Sequence, residues 1–464
     1  MVNKLFKMSK WSEWDITVDA TPQILESRKL AAPELIHKEG ADKHLYASER
    51  LLKMMPVFSS EVINDYELII VHDRFSRNEA EQARENLLKC QGQLNMKCPG
   101  FHMLPLPDTK GNFDKIAQCL DDFLRDFEKE GSDKPLFAVM ILDKRFDYPK
   151  IKTIFTRKNI MSQVILKQTA KKINLSVASN IMKQINSKLG GDSVRMKMPD
   201  FVAKDKVMVI GIDVCHAGKK SVVGFTASKN ASLTQYYSDI IIQPKFQEIV
   251  KKDLDKCLIS SIDSFQKENG GNLPGKIIIF RDGVGEGMRD QIIDNEIKQF
   301  KESLKPLYNK VTGIPPITLI VVNKRINQRM FVQGPDGKTI ENPPPGSIID
   351  SNLVENQNGN TCFDFFLVPQ QTTQGCVTPT HFFVALNESK DVPKQALEDL
   401  TYTLCYMYSN WSGSIKVPAP CQYAHKIAEY HYSFDSNHQI KKTGKVDLKQ
   451  LCYNKDFLEN FYYL

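Results

Sequence analysis

The chain has 464 residues, 41% of them apolar and 25% charged, ordinary values for a globular protein of roughly two to four domains. No run of about 18 apolar residues could span a membrane, and the opening MVNKLFKMSKWSEWD lacks the apolar core of a secretory signal. Ten scattered cysteines form no C-x-x-C pair, and no histidines pair at ligand spacing. This pattern argues against a zinc site and a disulfide framework and for a reducing, intracellular compartment. The net charge of +7 is local: Lys144–Lys188 carries +10 and the remainder −3, so an anion is expected to bind near that segment.

Residues 1–55 are polar, broken by Pro22 and Pro33, with one short strand candidate at Ile16–Val18; they read as a linker or edge segment. From residue 56 strands and helices alternate. Tyr66–Val71, Pro135–Leu142 and Gln163–Leu166 are strand-like, while Asn78–Leu94, Phe113–Glu128 and Ser176–Leu189 have helical apolar spacing. Gly190-Gly191 gives the last helix a stop. Such alternation implies a parallel sheet with helices on its faces. A second unit starts near 201, with strand runs at Val207–Val214, Val222–Ala227, Tyr236–Ile242, Lys276–Phe280, Ile317–Val322, Phe365–Val368 and His381–Leu386. Helices are expected at Glu248–Phe265 and Lys394–Tyr408, and Asn342–Gly346 is a rigid loop. Hairpin-like strands followed by alternation predict a mixed sheet. The organisation is therefore 1–55, 56–200 and 201–464.

Two acids stand where apolar strands run out, Asp213 after VMVIGI and Asp282 after KIIIFR. A carboxylate there is costly to desolvate unless it is hydrogen-bonded or binds a cation. One such Asp reads as a turn or helix cap; two in one unit point toward a shared site for a hard divalent cation, Mg²⁺ or Mn²⁺. The glycines of Gly283–Gly287 are spaced G-x-G-x-G, which does not match a dinucleotide-binding turn.

The blocks VMVIGIDVCHAGKKSVVGFTAS, KIIIFRDGVGEGM, VNKRINQRMF, FFLVPQQTTQGCVTPTHFFVALNES and LTYTLCYMYSNWSGSIKVPAPCQYAHKIAEY resemble the successive blocks of a PIWI domain. The last two are closer to the Piwi branch of the Argonaute family than to its Ago branch. FDYPKIK, SQVI and INSKLGG resemble the MID domain, and SRKLAAPEL the linker before it. The resemblance implies an α/β protein, a Rossmann-like MID domain (56–200) followed by an RNase H-like PIWI domain (201–464). It implies a catalytic set of Asp213, Glu248, Asp282 and His425. Asp213 and Asp282 would hold metal, and Glu248, read as lying on the Glu248–Phe265 helix, would come from the Gln247-Glu248-Ile249 context. Tyr148, Lys152, Gln163 and Lys188 match the family's pocket for a guide 5′ phosphate. Gln184, with the carboxylate of Leu464, matches a Mg²⁺ site beside that phosphate in Piwi-type proteins. Lys324, Arg325, Gln328 and Arg329 are expected on the guide backbone. His381 is expected to be structural, and Glu286 a helix N-terminal acid.

The function implied is Mg-dependent, small-RNA-guided cleavage of RNA in gene silencing. The expected partners are a 5′-phosphorylated guide RNA, a complementary target RNA and silencing effector proteins, with no membrane, in cytoplasm or nucleus. The alternative is a guide-binding silencing module that recruits partners without effective cleavage. Another RNase H-like nuclease would explain Asp213 and Asp282 but not the MID blocks. Nothing before residue 56 matches the family's N-terminal or PAZ domains, so the chain is expected to correspond to the MID–PIWI portion of that plan.

Overall fold

A computed structural model describes residues 22–36, 44–107, 113–129, 134–143, 148–217, 220–308, 313–351, 356–357, 362–436 and 455–464. The strand candidate Ile16–Val18 and the basic residues Lys144 and Arg145 lie outside them.

The first unit is a four-stranded parallel sheet of β1 (Glu67–Asp73), β2 (His102–Leu106), β3 (Leu136–Leu142) and β4 (Met161–Leu166), in the order β2-β1-β3-β4. β1 and β3 are apolar on both faces because helices cover both. Leu68, Ile70, Phe137 and Val139 pack with α1 (Arg77–Lys89). Ile69, Val71, Ala138 and Met140 pack beneath α2 (Phe113–Lys129) and α3 (Tyr148–Arg157). The helix expected over Asn78–Leu94 is two, Arg77–Lys89 and Gln91–Leu94, closed by Asn95 in the left-handed region. α4 (Leu175–Lys188) is capped by the Asn174 side chain, which accepts from the Val177 N–H at 3.0 Å. It ends ahead of Gly190, whose φ of +96° needs a glycine.

The second unit is a mixed ten-stranded sheet. Its main strands are β5 (Val207–Ala217), β6 (Lys220–Ser228), β7 (Tyr236–Pro244), β8 (Lys276–Asp282), β9 (Ile317–Asn323), β10 (Ser347–Ile349), β11 (Cys362–Val368) and β12 (Thr380–Asn387). The order is β10-β11-β12-β9-β8-β5-β6-β7, with Arg28–Lys29 added beyond β10 and Asn356–Gln357 paired to β11. Only the pairings of β8 with β5 and with β9 are parallel. α5 (Leu254–Glu268) and α6 (Lys298–Leu304) cover one face, over Ile210, Ile279 and Leu319. α7 (Lys394–Leu404) and α8 (Ala419–Ser436) share the opposite core with Val209, Phe280 and Val322. Among the described residues no helix is long and apolar enough to cross a membrane.

Two expectations are corrected. The helix expected from Glu248 begins only at Leu254, so Glu248 lies in a loop. Arg281 takes the Glu248 carbonyl and Glu296 takes the Val250 N–H, so this backbone bonds to neighbouring elements instead of to a helical turn. The helix expected to run to Tyr408 ends at Leu404. Finally, Phe457, Phe461, Tyr462 and Tyr463 of the tail enter a cluster that also holds Ile181 and Ile185 of α4 and Tyr236 of β7. One core thus bridges the two units.

Candidate functional site

Asp213 sits inside β5, which continues to Ala217, and Asp282 ends β8. The parallel register pairs Ile212 with Arg281, which brings the two aspartates side by side. Both are buried, at 6% and 1% exposure. Two glycines bring the third member to them. A Cβ at Gly211 would overlap the Pro420 carbonyl, and one at Gly224 the Ala424 carbonyl. Only hydrogen at these positions lets the α8 backbone lie against the sheet. His425, next on α8, donates from Nδ1 to Asp213 Oδ2 at 2.7 Å.

Glu248 arrives from the loop after β7, which Phe246 (φ +61°) and Asp253 (φ +69°) bracket. Arg281, fully buried, donates to Glu248 Oε1 at 2.9 Å and to the Glu248 carbonyl at 2.7 Å, and it also binds Glu296. His216 donates from Nε2 to Glu248 Oε2 at 2.8 Å. Arg281 and His216 are thus positioning residues for Glu248 that the sequence reading did not assign. The signal was present for Arg281: a guanidinium inside an apolar strand needs buried partners.

Asp213, His216, Glu248, Asp282 and His425 line one cleft of about 920 Å³ together with Gly283, Lys324, Arg325, Gln328, Asp364 and His381. Burial opposes the charge on Asp213, but His425, Lys324 and Arg281 outweigh it and hold its carboxyl below the ordinary value. Burial, then the charge of Asp213, pushes Asp282 up. The Lys324 ammonium partly offsets this by donating to Asp282 Oδ2 at 2.6 Å. Among the described residues no three His, Cys, Asp or Glu side chains converge as a ready metal-binding group. The donor chemistry nevertheless fits a hard divalent cation. Two adjacent buried carboxylates need positive charge, and Lys324 supplies it on Asp282 as things stand.

The residues expected at a phosphate pocket gather between β4, α3, α4 and the tail. Lys152 donates to Ser162 O at 3.0 Å and to Tyr462 O at 2.9 Å; Lys188 donates to the same Ser162 O at 2.9 Å. Both are buried, and among the described residues their hydrogen-bond acceptors are neutral carbonyls and a hydroxyl. Burial pulls Lys152 down to about 7, and burial plus repulsion from Lys152 pulls Lys188 well below its ordinary value. Gln163 donates to Gln184 Oε1 at 3.1 Å, while its own Oε1 is buried without a partner among the described residues. Gln184 turns its amide to Asn410 O, and no bond joins it to Leu464 among the described residues. Leu464 is half-buried beside the same core. Tyr148 opens α3 half-buried, its hydroxyl pushed up to about 12 by burial.

Of the four residues expected on a guide backbone, Lys324 instead sits on Asp282, because it directly follows β9 beside that carboxylate. Arg325, Gln328 and Arg329 are exposed at the rim. His381 lies in the same cleft, bonded to Asp364. Glu286 is exposed in a 3-10 turn near Arg289.

The Piwi domain family matches residues 136–434. Piwi-like protein 1 of Gallus gallus is 31% identical over 429 residues, covering 90% of this chain and 46% of the relative. The chain thus spans about half the length of that curated relative. The C-terminal lobe of a budding yeast Argonaute superposes with a TM-score of 0.78 at 21% identity, covering 94% of this chain and 95% of the lobe. Kluyveromyces polysporus Argonaute with a guide RNA gives 0.75 at 20% identity, covering 94% of this chain and 56% of that one. These two likenesses are of fold.

Proposed function

The chain belongs to the Piwi family, with a MID–PIWI fold whose PIWI part is RNase H-like, and on that premise we propose that it holds the 5′ phosphate of a guide RNA and cleaves complementary target RNA. The observation that carries this reading is the convergence of Asp213, Glu248, Asp282 and His425 on one cleft from four separate elements. Divalent cations, Mg²⁺ or Mn²⁺, when bound would supply Lewis acidity at the scissile phosphate and an activated water. Asp213 and Asp282 would hold them, once Lys324 releases Asp282, with Glu248 and His425 completing the donor set. Arg281 and His216 keep the Glu248 carboxylate turned inward. His425 keeps Asp213 charged by hydrogen-bonding it.

The guide's 5′ phosphate belongs at Lys152 and Lys188, two buried lysines with no carboxylate partner among the described residues, with Gln163 and Gln184 beside them and Tyr148 available for the first base. The Kluyveromyces polysporus Argonaute similar in fold was determined with a guide RNA, which supports a guide RNA as the class of ligand. Base pairing would give target specificity, while Arg325, Gln328 and Arg329 contact backbone. A second reading, guide capture without cleavage, is favoured by one feature: Lys324 occupies Asp282, so the donor set is not closed.

The test is purified protein with a 5′-phosphorylated guide, complementary RNA and Mg²⁺, with the product mapped to the nucleotide. A single guided cut is expected. Asp213→Ala and Asp282→Ala should abolish it while guide affinity stays near wild type. Guided binding with no cut would select the second reading, and equal loss of binding and cleavage in the variants would reject the division of roles.

A further inference from the structure

Asp364 and His381 form a buried acid–imidazole pair that the reading above does not use. β12 lies between β9 and β11, so His381 sits directly across from Asn323 on one side and from Phe366 on the other. Asp364 pairs with Phe383, two residues along, which puts its side chain on the same face as His381 and diagonally next to it. The His381 ring stacks on Phe366, with centroids 4.5 Å apart and planes 17° apart. Its Nε2 donates to Asp364 Oδ2. The two side chains are buried, at 7% and 5% exposure, and among the described residues Asp364 Oδ1 has no hydrogen-bond partner. A carboxylate buried this far with a single partner is an expensive way to join two strands. Its effect is to fix the proton of the imidazole on Nε2.

Both residues line the cleft that holds Asp213 and Asp282. Asn323, opposite His381, directly precedes Lys324, the residue on Asp282. The imidazole therefore lines the same cleft as the two aspartates, pinned by a carboxylate at Nε2 and an aromatic face. Its remaining polar atom is Nδ1, which carries a lone pair when the proton is on Nε2.

The chemistry of a paired nucleic-acid strand says what such an atom can take. Phosphate oxygens only accept, and the Watson–Crick edges of the bases are occupied by pairing, which leaves only amino groups deep in the grooves. The ribose 2′-hydroxyl is the backbone's one donor. We propose that His381, oriented by Asp364 and Phe366, accepts a hydrogen bond from a 2′-hydroxyl of the target strand close to the cut, so that the cleft selects RNA over DNA at that nucleotide. This rests on the guided-target reading above.

The experiment measures target affinity of the guide-loaded protein separately from cleavage. It uses an all-ribose target and a series in which each nucleotide near the cut is singly 2′-deoxy. In wild type one position should lose about two- to tenfold in affinity, the range of one neutral hydrogen bond. In His381→Ala the all-ribose target should be weakened by the same factor, and deoxy substitution at that position should cost nothing more. Asp364→Leu/His381→Phe removes both polar partners together and keeps a ring against Phe366, so it reports the same result if His381→Ala alone folds poorly. A deoxy profile that the variants leave unchanged overturns the inference. So does an equal weakening of every target, or a loss that follows methylphosphonate rather than deoxy substitution. Guided binding without cleavage removes the catalytic reading but leaves this measurement decisive. A chain that binds no guided target overturns both.

Discussion

Lys152 and Lys188 share one acceptor, Ser162 O, and among the described residues neither meets a carboxylate. Burial penalises their charge and sets Lys152 at about 7, whereas an unfolded lysine titrates near about 10.4. Between these values the unfolded chain binds more protons, so this pair makes the free protein more stable as pH rises from about 7 towards 10. The urea midpoint of the guide-free protein should therefore climb over that window, and Lys152→Met should flatten the climb. On the proposed reading, a 5′ phosphate would supply a counter-charge only while the lysines are protonated. Affinity for a 5′-phosphorylated guide should accordingly fall as pH rises above about 7, and that for a 5′-hydroxyl guide should not. A binding titration at several pH values decides this, and a phosphate-independent profile would remove these lysines from the pocket. At this scale the sequence was legible in kind. A cluster of positive charge asked for an anion, but which lysines are buried depends on the Tyr462 carbonyl 310 residues away from Lys152.

Among the elements, α8 decides where His425 stands against Asp213, and it does so through Gly211 and Gly224 in the facing strands. Gly224→Ala would drive a methyl into the Ala424 carbonyl, next to His425. Overpacking of this kind costs on the order of 1–3 kcal/mol. The expected outcome is a lower melting temperature together with a cleavage defect at retained guide affinity. Unchanged cleavage at reduced stability would separate α8 packing from the His425–Asp213 bond. The strand runs were legible because parallel strands buried on both faces read as unbroken apolar stretches. α8 was not read as a helix. The Glu248 loop was misread as one because its apolar residues Ile249 and Val250 continue the spacing of α5. Both are buried against the same core, but from a loop.

For the whole molecule, the tail is the joint. Phe461 stacks on Tyr423 of α8 with centroids 4.4 Å apart and belongs to the cluster that includes α4 and β7. Phe461→Ala should cost about 3–5 kcal/mol. Because the cavity opens between the units, the variant should also weaken 5′-phosphate-dependent guide binding through Lys152 and Tyr462. Denaturant unfolding followed by two probes, one in each unit, tests this; a loss confined to one unit would show that the tail is not shared.

Composition and pattern alone determined the two-unit α/β organisation, the parallel and mixed character of the sheets, the local positive charge and the candidate acids Asp213 and Asp282. These follow from periodicity and local chemistry, which a chain carries in consecutive residues. Only the tertiary structure decided that Glu248 is held in a loop by Arg281 and His216, that Lys324 rests on Asp282, and that His381 faces the cleft with Asp364. Sheet order and close backbone packing join residues as far apart as Asp213 and His425, separated by 212 positions, and no local pattern records which distant side chain will complete a buried charge.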